Sequence, residues 1–341
     1  MKLSLISFQL ENKSLFKIAH GERLFTETLF VEVEKDGEFG LGEASHVPYY
    51  GIKVEESIRL IENKWPLIES VWGVSHEYFW QFINEQFSDN HFAKCAVDMA
   101  YYDWQAKIAK KPLWVYLNLT VNNLPGSCFT IGMKELDRMT EEIKTSDFPS
   151  FKIKLGGEND VELIKHVFRN TKKPIKADVN GGWDIETALK NMEKLDKLGL
   201  EFIEQPLDKE SLSSYEILKK RSITPIFADE SCFFYEDIES CSKYFDGINI
   251  KLSKCGGIYP ALRMVQKARS LGLKLMLGCM TESSIGISTI AHLSSLFDYI
   301  DMDGATLLKN DPAFGVRLEK GFPAFNNSFG HGAVLKDSIW I

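Results

Sequence analysis

The chain of 341 residues is expected to fold as an α/β barrel preceded by an α+β unit. Three observations predict this. Eight short β-type runs alternate with helical stretches between residues 127 and 304. Charged or polar residues recur near the ends of those runs at steps of 22 to 28 residues, about one β/α unit each. The segment before them reads instead as strands followed by helices, the order of an α+β unit. Eight parallel strands with intervening helices make the (β/α) barrel pattern. A doubly wound sheet would also alternate strands and helices, but its first strand should lead into a Gly-rich phosphate loop, and neither GxGxxG nor GxxxxGK[ST] occurs.

In order along the chain, "KLSLISFQL" alternates as a strand does, and "TLFVEVEKDGEFGLGEAS" places two β-rich runs around Asp36-Gly37, a hairpin signal. From about Lys53 the pattern turns helical, and "NHFAKCAVDMAYYDWQAKIAKKPLWVYL" is a long apolar-periodic helical region. The character changes after "NNLPGS" at 122–127. The strand runs that follow are "SCFTIG", "FKIKLG", "IKADVNGG", "FIEQPL", "PIFADES", "GINIKLSK", "KLMLGCM" and "YIDMDG", with helices such as "DVELIKHVFRNT" and "YPALRMVQKARSLG" between them. The tail "GFPAFNNSFGHGAVLKDSIWI" is expected to return to the N-terminal unit, giving a division into 1–121 completed by 321–341, and a barrel over 122–320.

Composition is that of an ordinary globular protein, 44% hydrophobic and 26% charged. A formal net charge of −8 gives no electrostatic support to nucleic-acid binding. No apolar run reaches membrane-spanning length, and the apolar N-terminal stretch is broken by Gln9, Glu11 and Lys13, unlike a signal peptide. The six cysteines show no CxxC and no metal-finger spacing, so they are expected to be reduced thiols of a cytoplasmic protein.

Lys154, Asp178, Glu204, Asp229, Lys251, Cys279 and Asp301 stand at or near successive strand ends, which converge on one mouth in a barrel. Any one of these carboxylates alone would read as a loop residue or a helix N-cap. Asp178, Glu204 and Asp229 on three consecutive strands form a hard oxygen set suited to Mg²⁺. Lys152 and Lys154 on the second strand lie across the mouth from Lys251 on the sixth. Alone, "KIK" is the pattern of an exposed strand face. With Lys251 and the carboxylates it suits proton abstraction beside a metal-bound carboxylate, with Lys152 lowering the basicity of its neighbour.

Lys-x-Lys at 152–154, "DVN" at 178–180, "EQP" at 204–206, "DES" at 229–231 and "KLSKCGG" at 251–257 together resemble the enolase superfamily, in its muconate-cycloisomerase-like branch. The resemblance covers nearly the whole chain and implies a (β/α)7β barrel with an N-terminal capping domain. It implies one Mg²⁺ per subunit held by Asp178, Glu204 and Asp229, with Lys154 and Lys251 as the acid/base pair on opposite faces of the substrate carbon. It further implies that Lys152 holds the substrate carboxylate, that Asn180 and Glu230 support the ligands, and that Glu282 orients Lys251.

The branch includes cycloisomerases, o-succinylbenzoate synthases, N-acylamino-acid racemases and dipeptide epimerases. Asp301 and Asp303 match the Asp-x-Asp that dipeptide epimerases carry at the end of strand eight. Two carboxylates are a good receptor for a dipeptide's free α-ammonium. Thr130, Cys279 and Met280 are expected to line the substrate. The expected activity is therefore epimerisation at the α-carbon of a dipeptide's C-terminal residue, with L-Ala-D/L-Glu from peptidoglycan peptides as the leading substrate. The rivals are another reaction of the branch and a non-catalytic ligand-binding barrel. In this family the loop over 18–26 closes on the substrate, and Arg23, or less directly Lys17, is the candidate cation for an acidic side chain. Whether copies of the chain assemble as a homo-oligomer is left open by the sequence.

Overall fold

The computed structural model describes residues 1–18 and 21–340. The N-terminal unit is a three-stranded antiparallel sheet, β1 (Lys2–Ile18), β2 (Gly21–Lys35) and β3 (Glu38–His46), in the order β1-β2-β3. The β2–β3 hairpin turns at Asp36 and Gly37, with φ of 54° and 79°, the left-handed pair that a two-residue hairpin loop requires. Helices α1 (Val54–Ser70) and α3 (His91–Ile108) cover the sheet, and α2 (His76–Phe87) packs against both. The helix α3 lies directly on β3, because a Cβ at Gly42 would stand 2.0 Å from the Ala96 carbonyl oxygen. The helical region expected over 90–117 is broken: α3 ends at Ile108, Lys110 takes φ 53°, and Pro112 precedes a short turn of helix, α4 (Leu113–Tyr116). Pro112 has no amide hydrogen with which to continue the helix.

All eight expected barrel strands form. They are β4 (Cys128–Ile131), β5 (Ser150–Lys154), β6 (Ile175–Asp178), β7 (Ile203–Glu204), β8 (Ile226–Ala228), β9 (Gly247–Lys251), β10 (Lys274–Gly278) and β11 (Tyr299–Asp301). Each pairs in parallel with the next. The connecting helices are α5 (Leu136–Thr145), α6 (Asp160–Asn170), α7 (Ile185–Leu195), α8 (Leu212–Arg221), α9 (Ile238–Tyr244), α10 (Leu252–Cys255), α11 (Ile258–Ser270) and α12 (Ser284–Leu293). Short antiparallel pairs follow, β12 (Ala313–Phe314) with β15 (Val334–Leu335) and β13 (Arg317–Glu319) with β14 (Phe322–Ala324).

The strand alternation in "SFKIK" resolves as a barrel wall. Ile153 and Leu155 join the same buried cluster as Met139, Ile143 and Ile164 of the outer helices, while Lys152 and Lys154 are buried on the other face. Phe202, Phe227 and Met276 plug the barrel below them, with the two phenyl rings stacked at 4.0 Å. The barrel closes between β11 and β4 through side chains more than through a ladder. A single bridge joins Ser127 to Ile300, and the Met302 amide donates to Ser127 Oγ at 3.0 Å.

Two carboxylates of the N-terminal unit reach into the barrel to cap its helices. Glu43 of β3 accepts from the Ser283 amide (2.9 Å), Ser283 Oγ (2.6 Å) and the Gly286 amide (2.8 Å) at the start of α12. Asp98 of α3 accepts from the Ile258 and Tyr259 amides (2.6 and 3.2 Å) at the start of α11. Both satisfy donors that a helix N-terminus cannot pair internally. The tail packs back as well: His331 donates its amide to Asp103 Oδ1 (2.9 Å) and Nε2–H to the Leu41 carbonyl (2.8 Å). Among the described residues no helix is long and apolar enough to cross a membrane.

Candidate active site

The C-terminal ends of the strands open onto a cavity of about 770 Å³, including its mouth. Its lining includes Thr130, Lys152, Lys154, Asn180, Asp229, Glu230, Lys251, Cys279, Met280, Asp301 and Asp303 from the barrel, and Phe16, Arg23, Val47, Tyr49 and Tyr50 from the N-terminal unit. Residues from seven of the eight strand ends meet here because each β/α unit returns the chain to the same face. Sharp backbone turns aim them. Asn180 and Gln205, immediately beyond β6 and β7, take φ of 49° and 39°. A left-handed glutamine is uncommon, and this one is held from both ends of its amide. Gln205 Oε1 accepts from the Asp229 and Ser231 amides (2.9 and 3.1 Å), and its Nε2 donates to the Leu207 carbonyl (3.1 Å) and Tyr215 Oη (2.8 Å).

Asp178, Glu204 and Asp229 are fully or almost fully buried, and lysines surround them. Lys152 Nζ lies 3.1 Å from Asp178 Oδ2, 2.7 Å from Glu204 Oε2 and 2.9 Å from Asp301 Oδ2. Lys154 Nζ lies 2.6 Å from Asp178 Oδ2 and 3.1 Å from Asn180 Oδ1. Lys251 Nζ lies 2.7 Å from Asp229 Oδ2. Burial alone would lower the basicity of Lys152 and Lys251, but Asp301, Glu204 and Asp178 around the first and Asp229 beside the second raise both well above the usual lysine range. Burial and the neighbouring Asp178 push Glu204 up to about 7. Burial would raise Asp178 too, but Lys154 and Lys152 hold it below the ordinary carboxylate range.

The opposite wall holds Asp301 and Asp303. Thr130 connects them: its amide donates to Asp303 Oδ2 at 2.6 Å, and its Oγ1 lies 3.1 Å from Asp301 Oδ1 and 3.3 Å from Asp303 Oδ1. Asp301 is paired with Lys152, whereas Asp303 forms no ion pair among the described residues. Burial and the charge of Asp301 push Asp303 up to about 7.

Other expected residues fall into place around this centre. Asn180 donates Nδ2–H to Glu230 Oε1 at 3.1 Å and its amide to Asp178 Oδ1 at 3.0 Å. Glu282 makes no hydrogen bond to Lys251. Its Oε1 accepts from the Met280 amide at 2.9 Å, and burial with Glu43 nearby pushes it up to about 8. Glu282 thus orders the 279–283 turn and acts on Lys251 through charge, while Asp229 makes the direct ion pair with Lys251. Arg23 reaches the cavity wall, and Lys17 is exposed and outside it. Ala19 and His20 of the 18–26 loop lie outside the described residues. Phe16, Val47, Tyr50, Thr281 and Leu307 also line the cavity and were not expected from sequence. Tyr50 was not legible because it comes from a loop of the other unit, far away in sequence. Lys254 and Asn249 were also missed, although both lie in the "GINIKLSK" run.

Among the described residues no three carboxylate, imidazole or thiolate side chains already close on one point as a metal cage. The donor set nevertheless fits a hard divalent cation. Three carboxylates on adjacent strands contribute oxygens only, and Glu204 Oε2 is buried without a hydrogen-bond partner, though Lys152 is close. The fold and this site define a barrel enzyme of the two-unit kind, with a sheet-and-helix unit roofing the strand ends. Residues 5–117 match the N-terminal domain of the mandelate racemase / muconate lactonizing enzyme family and residues 134–337 match the family described as enolase C-terminal domain-like, so the chain belongs to the enolase superfamily. It is 43% identical to an L-Ala-D/L-amino acid epimerase of a Maribacter species, over 98% of this chain and 99% of that one. It is 36% identical to a hydrophobic dipeptide epimerase of a Flavobacteria bacterium over the full length of both. Its structure superposes with a TM-score of 0.90, at 28% identity and covering 97% of this chain and 98% of the other, on the dipeptide epimerase of Enterococcus faecalis V583 complexed with Mg and the dipeptide L-Leu-L-Tyr.

Proposed function

We propose that the chain is a Mg²⁺-dependent dipeptide epimerase that moves a proton at the α-carbon of the dipeptide's C-terminal residue. The observation that carries this reading is the pairing of Asp303, a buried carboxylate with no ion pair among the described residues, with a lysine on each side of the same cavity. A muconate or succinylbenzoate substrate has no ammonium to bring to Asp303 and Asp301, and a dipeptide has one. The epimerase names of the full-length relatives support the same reading.

Asp178, Glu204 and Asp229 would hold the ion, which supplies positive charge against the charge that builds on the substrate carboxylate. For that, the Lys152 ammonium must release Asp178 and Glu204, since like charges repel. It then remains beside the site to meet the substrate carboxylate. Lys154 on β5 and Lys251 on β9 lie four strands apart in an eight-stranded barrel, and so on opposite sides of the mouth. One removes the α-proton and the other delivers a proton to the far face, which inverts the carbon. Each starts out bound to a carboxylate, and the base acts after losing that partner.

Arg23 gives the finer reading, an acidic side chain at the epimerised position, as in L-Ala-D/L-Glu of peptidoglycan peptides. All six cysteines are free thiols, which accords with the cytoplasm, where we place the enzyme. The test is deuterium uptake from D₂O at the C-terminal α-carbon across an L,L-dipeptide panel with Mg²⁺. Asp303→Asn should reduce exchange by about 100-fold or more, because a desolvated ammonium loses its charged partner. Absence of exchange with every dipeptide would defeat the proposal. Full turnover of a succinylbenzoate precursor by Asp303→Asn would move the chain to that other reaction.

A further inference from the structure

The three candidate metal carboxylates share a feature that no sequence motif displays. In each, one oxygen is tied to a fixed donor behind it and the other faces the catalytic lysines. Asp178 Oδ1 accepts from the Asn180 amide at 3.0 Å, leaving Oδ2 toward Lys152 and Lys154. Glu204 Oε1 accepts from Asn249 Nδ2 at 2.7 Å, leaving Oε2 toward Lys152. Asp229 Oδ1 accepts from Lys254 Nζ at 2.5 Å, leaving Oδ2 toward Lys251.

The donor on Asp229 is unusual. Lys254 is fully buried, and its ammonium also meets the carbonyls of Asp229 (2.6 Å), Cys232 (3.0 Å) and Asn249 (3.0 Å). A buried ammonium is tolerated only where acceptors replace its water, and here two segments of chain, the 229–232 turn and β9, supply them. It cannot swing away without stranding several of them. The short α10 turn folds Lys254 back under the end of its own strand, so that β9 and α10 carry the proton-transfer lysine and both of these donors.

We infer that Lys254 and Asn249 are positioning residues that hold Asp229 and Glu204 so that each offers the metal one oxygen. The inference rests on the metal site of the proposed function. Its consequence is selectivity. An ion given three single oxygens keeps three positions for water and substrate, the octahedral arrangement of Mg²⁺. Ca²⁺, which favours six to eight oxygens and takes carboxylates with both, is denied the second oxygen of each.

The experiment is calorimetric titration of the full chain with MgCl₂ and with CaCl₂, without substrate, for the native protein, Lys254→Met and Asn249→Ala. Both ions are divalent, so the loss of the Lys254 charge cancels in the ratio of their affinities and geometry remains. Each variant is expected to shift that ratio toward Ca²⁺ by roughly tenfold. An unchanged ratio in the folded variants overturns the inference. Native protein that binds neither ion defeats the metal site itself, a separate outcome. If neither variant folds, judged by circular dichroism, the decision passes to native protein loaded with Mn²⁺. Pulsed electron paramagnetic resonance should then count three exchangeable waters, and fewer would overturn the inference.

Discussion

Arg23 is the residue whose chemistry bears most directly on substrate choice. It is half-buried, forms no ion pair among the described residues, and lines the cavity from the N-terminal unit. Burial lowers its pKa, which for a guanidinium still leaves it charged and poorly solvated. A side-chain carboxylate entering the cavity would restore the lost solvation with two parallel hydrogen bonds. Arg23→Leu should therefore raise KM for L-Ala-L-Glu roughly 10- to 100-fold and leave that for L-Ala-L-Leu within about threefold. Equal changes for both dipeptides would show that the guanidinium shapes the wall without reading the side chain.

At the scale of elements, the two interdomain caps couple the roof to the barrel. Glu43 takes three donors from the start of α12 and a fourth from Thr28 Oγ1 at 3.0 Å. The turn it anchors carries Met280 and Thr281, which line the cavity. Glu43→Ala leaves buried donors unpaired and should cost about 3 kcal/mol or more in urea unfolding, with fraying at α12 visible as faster amide exchange there. A loss near 0.5 kcal/mol would mean that water replaces the carboxylate. Asp98 makes the matching cap on α11 beside Gly257. A Cβ at Gly257 would stand 2.3 Å from Asp98 Oδ2 at a φ of 138°, so that position has both a backbone and a contact reason to be glycine.

For the whole molecule, acid sensitivity follows from buried neutral imidazoles. Burial lowers His46, His76 and His91 to about 4 and His292 to about 3. His292 shows why: Nδ1 accepts from the Trp114 amide at 3.1 Å and Nε2–H donates to the His331 carbonyl at 3.2 Å, so a second ring proton would break the first bond. These folded values lie below the unfolded value of about 6.5. The stability they carry is present above pH 6.5 and is lost as pH falls toward 4, because the unfolded chain binds more protons there. Asp98 acts in the opposite sense. Burial raises it to about 7, so its contribution is complete below about 4 and declines as pH rises toward 7. Glu204, Glu230, Asp303 and Glu282, pushed up to about 7 or 8, act with Asp98 and offset the four imidazoles between pH 6.5 and 5, so urea midpoints should fall only as pH drops through about 4. Midpoints that already fall between pH 6.5 and 5 would show that these carboxyls are hydrated.

How much of this was legible in the sequence depended on how local the cause was. Asp178, Glu204, Asp229 and Lys251 were readable because a β/α unit has a nearly fixed length, so spacing reports the end of the barrel. Asp303 was readable from its period-two relation to Asp301 on one strand. Tyr50 and Leu307 were not, because loops meet the mouth by paths that have no period. The bond from the Met280 amide to Glu282 was not legible, because the 279–283 turn that makes it has no period. Lys254 was in plain view in "KLSKCGG", but only the α10 turn reveals that it points back under Asp229.

The side-chain closure between β4 and β11 has a consequence for motion. Its bonds run from Thr130 to Asp301 and Asp303, the two carboxylates proposed to receive the ammonium. A barrel whose ladder is thinnest at one seam should breathe there first, and a ligand that draws Asp301 and Asp303 together should stitch that seam shut. Amide hydrogens of 128–131 and 299–303 should exchange ahead of those in β5 to β10 and slow selectively when a dipeptide binds. Protection spread evenly around the barrel would instead show that the seam is as tight as the rest.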